Sequence, residues 1–370
     1  MRRLGQFMRA YDTFARIEFS LVSPLMQAGI STTPSLAAAT PPLGGCWQFD
    51  PAQAAAPLGG AVRSALAGLG VITVTGEDAA RFLHGQLTND VEHLGTDRLA
   101  LDGYCTAKGR LLATFRCWRD EQAIQLLLPR EVLPAVLKRL AMFVLRAKAR
   151  LADASDSWRA WAVFGAGAAS ALSALGVTLP ASAGQAVRLG GSRIARLHGS
   201  ARVAERFLVL APAAEAQLLL AKLAGLPVVD EGAFWWSEID AAVPTVFAAT
   251  QEKFVPQMIN FEVVGGVSFS KGCYPGQEVV ARSQYRGKLR RRMQLAHCAA
   301  AAAAGADVFA DGEAEPAGTV VMSASAPEGG FDMLFECPLE KTEAALHLGA
   351  PDGPLLERRA LPYELVDVTA

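Results

Sequence analysis

Gly265-Gly-Val-Ser-Phe-Ser-Lys-Gly-Cys-Tyr-Pro-Gly-Gln-Glu278, running on through Val-Val-Ala-Arg282 to Tyr285-Arg-Gly287, is the most informative stretch of the chain. Gly272 and Gly276 bracket Cys273 and Tyr274, so the backbone can turn sharply and approach a ligand closely. Pro275 stiffens the loop. Lys271 lies two residues before the thiol, and Arg282 and Arg286 follow it. Cations near a cysteine favour the thiolate, which is its reactive form. The pattern suits a nucleophile, a redox group or a soft-metal ligand; the bland alternative is an inert buried cysteine.

Working outward, Val71–Thr75 alternates and is rich in β-branched residues, which predicts a strand. Gly76-Glu-Asp78 opens a short helix with Phe82, Leu83 and Leu87 on one face. Three further strand-like runs, 99–106, 111–118 and 123–128, are joined by turns at Lys108-Gly109 and Asp120-Glu121, an antiparallel meander. Helical spacing of Leu133, Val136, Leu137, Leu140 and Val144 predicts a helix over 131–144, and a strand is expected near 147–152. A second strand-and-helix set follows from Trp158. Beyond Asp230 the chain passes through Phe234-Trp235-Trp236 into a loop-rich stretch ending near Gly287. The alanine run 299–304 reads as a join. Short strands at 319–322 and 332–335 with Gly/Pro turns suit a small β-barrel. Strands in blocks with helices beside them argue for an α+β chain rather than a doubly wound sheet.

With 370 residues, 51% of them hydrophobic, the chain can bury several cores. Its net charge of −1 argues against a strongly basic nucleic-acid face, and no direct DNA binding is expected. The six cysteines form no C-x-x-C pair and no zinc-finger spacing, so no metal site is expected. Six cysteines in this length point to a reducing, cytoplasmic compartment. The uncharged segment 19–49 is broken by Pro24, Pro34, Pro41 and Pro42 and reads as part of a disordered extension over 1–60, not a membrane span. Gly165-Ala-Gly167 lacks the third glycine of a dinucleotide fingerprint, with Ser170 in its place.

The cysteine loop resembles the KGCYxGQE signature of the YgfZ-type folate-binding proteins. Thr75–Asp90 looks like that family's first helix and following turn, Ala107-Lys-Gly-Arg110 like its next turn, and Phe254-Val-Pro-Gln257 with Asn260 like the approach to the cysteine. Leu361-Pro-Tyr363 resembles its closing stretch. The resemblance runs from about Gly70 to Val366. It implies the fold of the glycine-cleavage T-protein: three domains in a ring around a central folate channel. The corresponding divisions are 61–152 with 228–287, 153–227, and a C-terminal barrel over 288–370.

It also implies tetrahydrofolate, or a one-carbon derivative, as cofactor. The implied role is in building or repairing iron–sulfur clusters in other enzymes, including tRNA-modifying ones, with those enzymes or assembly proteins as partners. Cys273 and Lys271 are the reactive candidates. A pterin wants an aromatic face and a carboxylate for its amidine-like edge. Asp240 matches the T-protein position that carries Glu, with Trp236 nearby, and the two tryptophans associated with the family fall at Leu69 and Phe234. Tyr274, Gln277, Arg282 and Arg286 complete the expected contacts, the arginines facing the carboxylate tail. The run Arg290–Arg292 reads as a solvated charge cluster. Aminomethyl transfer is the enzymatic alternative, but Arg110–Phe115, where the T-protein carries its catalytic aspartate, holds no acid. A non-catalytic, folate-stabilised adaptor is the other.

Overall fold

The computed structural model describes residues 45–285 and 290–365. The first sheet has the strand order Ala100–Cys105, Leu111–Arg119, Ala123–Pro129, Leu69–Thr75, Arg150–Asp153, antiparallel throughout. It is the expected meander with two neighbours added. Helices Ala79–His84 and Leu133–Met142 accompany it, and Leu83, Leu133, Val136 and Leu140 pack into the same core as Ile72, Val74 and Leu126.

The second sheet runs Val62–Ala65, Trp158–Phe164, Arg206–Pro212, Ser192–Arg196, Ala186–Leu189, again antiparallel. Helices Ala168–Ser173 and Ala213–Lys222 cover it, with Leu172 and Leu219 buried beside Val163, Phe207 and Val209. Gly165 has φ +99°, and a Cβ there would lie 2.2 Å from the Gly60 carbonyl oxygen. The glycine pair is thus a tight turn into a packed helix. An antiparallel sheet has no βαβ crossover for a dinucleotide.

The third sheet runs Leu346–Leu348, Asp307–Ala310, Pro316–Ser325, Phe331–Pro338, Arg291–Cys298, Glu357–Arg359. Cys46–Trp47 adds to it by pairing in parallel with Ser323 and Ala324. Met1–Gly44 lie outside the described residues. The remainder of the expected 1–60 extension is built into the fold. Asp50 caps the helix Pro51–Gly59, accepting from the Ala52 N–H at 2.9 Å. Trp47 stacks on Trp235 at 4.6 Å. An apolar tryptophan with a partner ring waiting outweighs a proline-rich, uncharged context.

The stretch after Asp230 also departs from a loop. Glu231–Asp240 is a helix, with every residue from Gly232 to Asp240 buried. Asp230 caps it by accepting from the Gly232 N–H at 2.7 Å. Burial on all sides erases the amphipathic stripe by which a helix is recognised. Around it one core collects Leu69 and Leu127 of the first sheet, Leu208 and Leu210 of the second, and Leu295 and Leu334 of the third. Gln277–Tyr285 is a second helix in the supposed loop. Among the described residues no helix is long and apolar enough to cross a membrane.

Candidate functional site

The cysteine loop is fixed by backbone contacts that only glycine permits. Gly276 has φ +84°; a Cβ there would meet the Thr106 carbonyl oxygen at 2.4 Å and Gly109 at 2.6 Å. The Ala107–Arg110 turn is itself closed by Gly109 N–H donating to Thr106 O at 2.9 Å and Thr106 N–H to Arg110 O at 2.8 Å. Two motifs that are distant in sequence therefore dock backbone to backbone.

Lys271 is buried and does not point freely at the thiol. Its Nζ donates to the carbonyls of His84 and, at 2.7 Å, Leu87, and lies 4.9 Å from the Tyr274 ring centroid. A cation here meets the unpaired carbonyls ending the Ala79–His84 helix. Burial pushes its ammonium down to about 8, against the pull of Asp102, Asp90 and Cys273. Tyr274 is buried, Gln277 half-buried and Arg282 exposed, while Arg286 lies outside the described residues. Cys273 is exposed, whereas Cys46, Cys105, Cys117, Cys298 and Cys337 are buried.

Behind the loop sits Asp102, which sequence reasoning passed over. Its Oδ1 accepts from the Asn89 N–H at 2.8 Å, the Gly103 N–H at 2.9 Å and the Thr88 hydroxyl at 3.2 Å. Its Oδ2 is buried with no hydrogen-bond partner among the described residues. Burial pushes its carboxyl up to about 7, against the donors of Asn89, Gly103 and Thr88 and the charge of Lys271. The one available signal was a carboxylate inside an otherwise apolar strand. Thr88 and Asn89 also tie the approach to the cysteine loop. The Thr88 hydroxyl donates to Gly266 O at 2.6 Å, and Asn89 Nδ2 to Gly265 O and Leu101 O, each at 2.8 Å.

Beside this tie lies a cavity of about 270 Å³, bounded by the first sheet, the second sheet and residues 263–265. Asn89, Arg98, Arg116, Arg196 and His198 line it, and among the described residues no carboxylate does. Burial, aided by Arg206 and Arg116 and opposed by Glu238, holds the His198 imidazole below its ordinary value. Arg116 is kept by Glu238, which also pairs with Arg206; all three side chains are buried.

Asp240 and Trp236 belong to a different set of partners, at the meeting of the helix with the second and third sheets. Asp240 accepts from the Ser200 hydroxyl and from Arg202 Nε at 2.5 Å. The same guanidinium lies 4.9 Å from the Trp236 ring centroid and donates to Asp332 at 2.8 Å. Asp332 also accepts from Trp236 Nε1 at 2.9 Å, pairs with Arg359, and meets His297 Nδ1 at 3.0 Å. His297, Glu328 and Asp332 bring ligand atoms within 4.8 Å of one another. Arg202 and Arg359 pair with both of those carboxylates, so the set neutralises itself.

Phe234 is packed in the core edge-on to Trp235, and Leu69 starts its strand opposite Pro129. Arg291 and Arg292 are not a solvated run. Arg291 forks onto Glu336, and buried Arg292 pairs with Glu262 and donates to Gln257 O at 3.0 Å. The waiting carboxylates of Glu336 and Glu262 decide this, and neither is local in sequence.

No protein-family model matches the chain. Its fold is that of the glycine-cleavage T-protein. The crystal structure of glycine cleavage system aminomethyltransferase T from Bartonella henselae matches it with TM-score 0.67 over 82% of this chain and 86% of that one, at 18% identity. The "tRNA-modifying protein YgfZ" of Yersinia pseudotuberculosis serotype O:1b is 34% identical over 224 residues, which cover 60% of this chain and 67% of that protein. The Yersinia pestis protein of the same name is 33% identical over the same shares. The chain belongs to the YgfZ family.

Proposed function

We propose that the chain binds tetrahydrofolate, or a one-carbon derivative of it, and supports assembly or repair of iron–sulfur clusters in client enzymes, tRNA-modifying ones among them. Cys273 is its reactive group in this reading. One observation carries it: of six cysteines only Cys273 is exposed, on a loop locked against the turn 107–110 and the helix Ala79–His84. Thiolate chemistry needs access as well as a fixed address. The name of the Yersinia relatives supports a link to tRNA modification.

The residues fit a pterin. Asp240 already holds a guanidinium, whose paired N–H donors resemble those of the pterin's amidine edge, and Trp236 supplies a flat face. Asp240 and Trp236 would hold the ring, and Arg98 and Arg196 would meet carboxylates of the tail. Bound folate supplies one-carbon chemistry; the chain's residues orient it. The reading includes a ring of three lobes around a central channel, the third sheet closing as a barrel, and work in the cytosol beside iron–sulfur enzymes or their assembly proteins.

Calorimetric titration of tetrahydrofolate tests the cofactor. Micromolar binding that Asp240→Ala weakens supports the reading, and no binding to folded protein removes it. A non-catalytic adaptor is the second reading, favoured by the engagement of Lys271 with backbone carbonyls rather than the thiol. Cys273→Ser discriminates: lost support of client enzymes with folding and folate binding retained favours a chemical role, and unchanged support favours the adaptor. Aminomethyl transfer has less behind it, because Arg110–Phe115 holds no acid and nearby Asp102 is fully buried.

A further inference from the structure

Arg202 stands in the loop between the strands Ser192–Arg196 and Arg206–Pro212. Its guanidinium is a flat, delocalised plate with paired N–H donors on one edge. In this chain the plate lies over the Trp236 ring, 4.9 Å from its centroid, and its edge is turned to Asp240, with Nε 2.5 Å from Oδ1. A planar heterocycle with an amidine edge would seek those two contacts: a ring face and a carboxylate. Resting on the reading of Asp240 and Trp236 as the pterin contacts, we propose that Arg202 is a built-in placeholder. Its guanidinium fills the amidine subsite in the free protein and leaves when ligand arrives.

The structure also provides somewhere for Arg202 to go. Its Nη2 donates to Asp332 at 2.8 Å, and Nη1 lies 3.5 Å from Glu328. Swinging off Asp240 therefore leaves the cation paired. The side chain is 30% exposed, so the movement needs no unpacking of the core. Asp240 is 5% exposed, and a carboxylate so buried is costly without a partner. The placeholder removes that cost while the site is empty. It also sets a threshold: a ligand must present both a flat face and paired donors to replace what Arg202 already supplies. Competition of this kind lowers apparent affinity by the fraction of protein that is open.

The test is calorimetric titration of tetrahydrofolate into wild type, Arg202→Met, Arg202→Lys and Asp240→Ala, each checked for folding by circular dichroism. Arg202→Met removes the competing plate and is expected to bind roughly five- to tenfold more tightly. Arg202→Lys keeps a cation for Asp332 and Glu328 but loses the plate, so it gains by a smaller factor and serves if the methionine variant fails to fold. Equal or weaker binding by both variants overturns the proposal, since Arg202 would then be a bystander or a ligand contact.

If neither wild type nor the Arg202 variants bind tetrahydrofolate, methylguanidinium is titrated into Arg202→Met. Binding that a further Asp240→Ala removes upholds the placeholder and rejects folate as the occupant. Its absence rejects both. In wild type, the Arg202 Nε–H resonance, assigned by its loss in Arg202→Lys, is expected to shift on ligand addition, and an unmoved resonance in bound protein contradicts displacement.

Discussion

Replacing Glu238 by glutamine tests the electrostatic centre of the molecule. Its side chain has no exposure, that of Arg206 is 1% exposed and that of Arg116 10%, and Glu238 joins both guanidiniums. Burial alone would raise the Glu238 carboxyl, but Arg116 and Arg206 outweigh it and hold it below its ordinary value. The amide keeps the shape and loses the charge, leaving two buried cations with one neutral acceptor. Removing one partner of a buried pair costs about 3–5 kcal/mol, which for a chain of this length corresponds to a fall in melting temperature of roughly 4–6 °C.

Differential scanning calorimetry of both proteins at neutral pH reads the difference. The pH dependence supplies a second check. A carboxyl depressed by folding contributes stability that is complete above its unfolded pKa and is lost as pH falls through the folded one. The gap between the proteins should therefore close in acid. A loss under about 1 kcal/mol, or a gap unchanged down to strongly acid pH, would refute the account.

Lys271→Met keeps the stem but leaves the His84 and Leu87 carbonyls unpaired, at a cost of about 1–3 kcal/mol, and hydrogen exchange in 272–276 should accelerate. Wild type gains stability as pH rises from about 8 toward 10.5, where folded Lys271 binds fewer protons than unfolded, and the variant should lack that rise in a pH series of denaturant melts. Asp102→Asn runs the other way. A carboxyl raised from 3.8 to about 7 costs stability as pH climbs between those values, on the order of 4 kcal/mol, and the variant should flatten that slope. Gly276→Ala forces a Cβ into the Thr106 and Gly109 backbone at a positive φ and should lower stability by about 1–3 kcal/mol, read as a shifted urea midpoint. Iodoacetamide on native protein should add one adduct by mass spectrometry, at Cys273; two or more would contradict the burial of the other five.

Strands with local turns were legible from sequence. Val71–Thr75 alternates, and the turn residues at Lys108-Gly109 and Asp120-Glu121 sit where antiparallel neighbours need them, so the meander followed from local pattern. The tight turn at Gly276 was legible because glycine spacing is a local fact, whereas the engagement of Lys271 with the His84 and Leu87 carbonyls was not. The Glu231–Asp240 helix was not, because a helix buried on every side shows no period. Trp47 was lost within proline-rich neighbours, since its partner Trp235 lies far along the chain. Arg291 and Arg292 looked like solvated charge because Glu336 and Glu262 come to them only through the fold. Asp102 was missed for the same reason: its meaning rests on Thr88, Asn89 and Lys271 closing around it.

The parallel pairing of Cys46 with Ser323 has a consequence for how the molecule is made. On a ribosome the Trp47 strand emerges roughly 280 residues before the strand it must join, a wait of about 15–55 s at ordinary elongation rates. Through that interval the Trp235 ring lacks the sheet that carries Trp47 to it, and helix Glu231–Asp240 has no cover from Pro316–Ser325. The nascent chain thus carries a helix that the finished fold buries on every side half-dressed until Pro316–Ser325 has been made. A nonsense mutation near residue 300 would release a product with two finished sheets and a sticky flank, a client for chaperones rather than a smaller working protein.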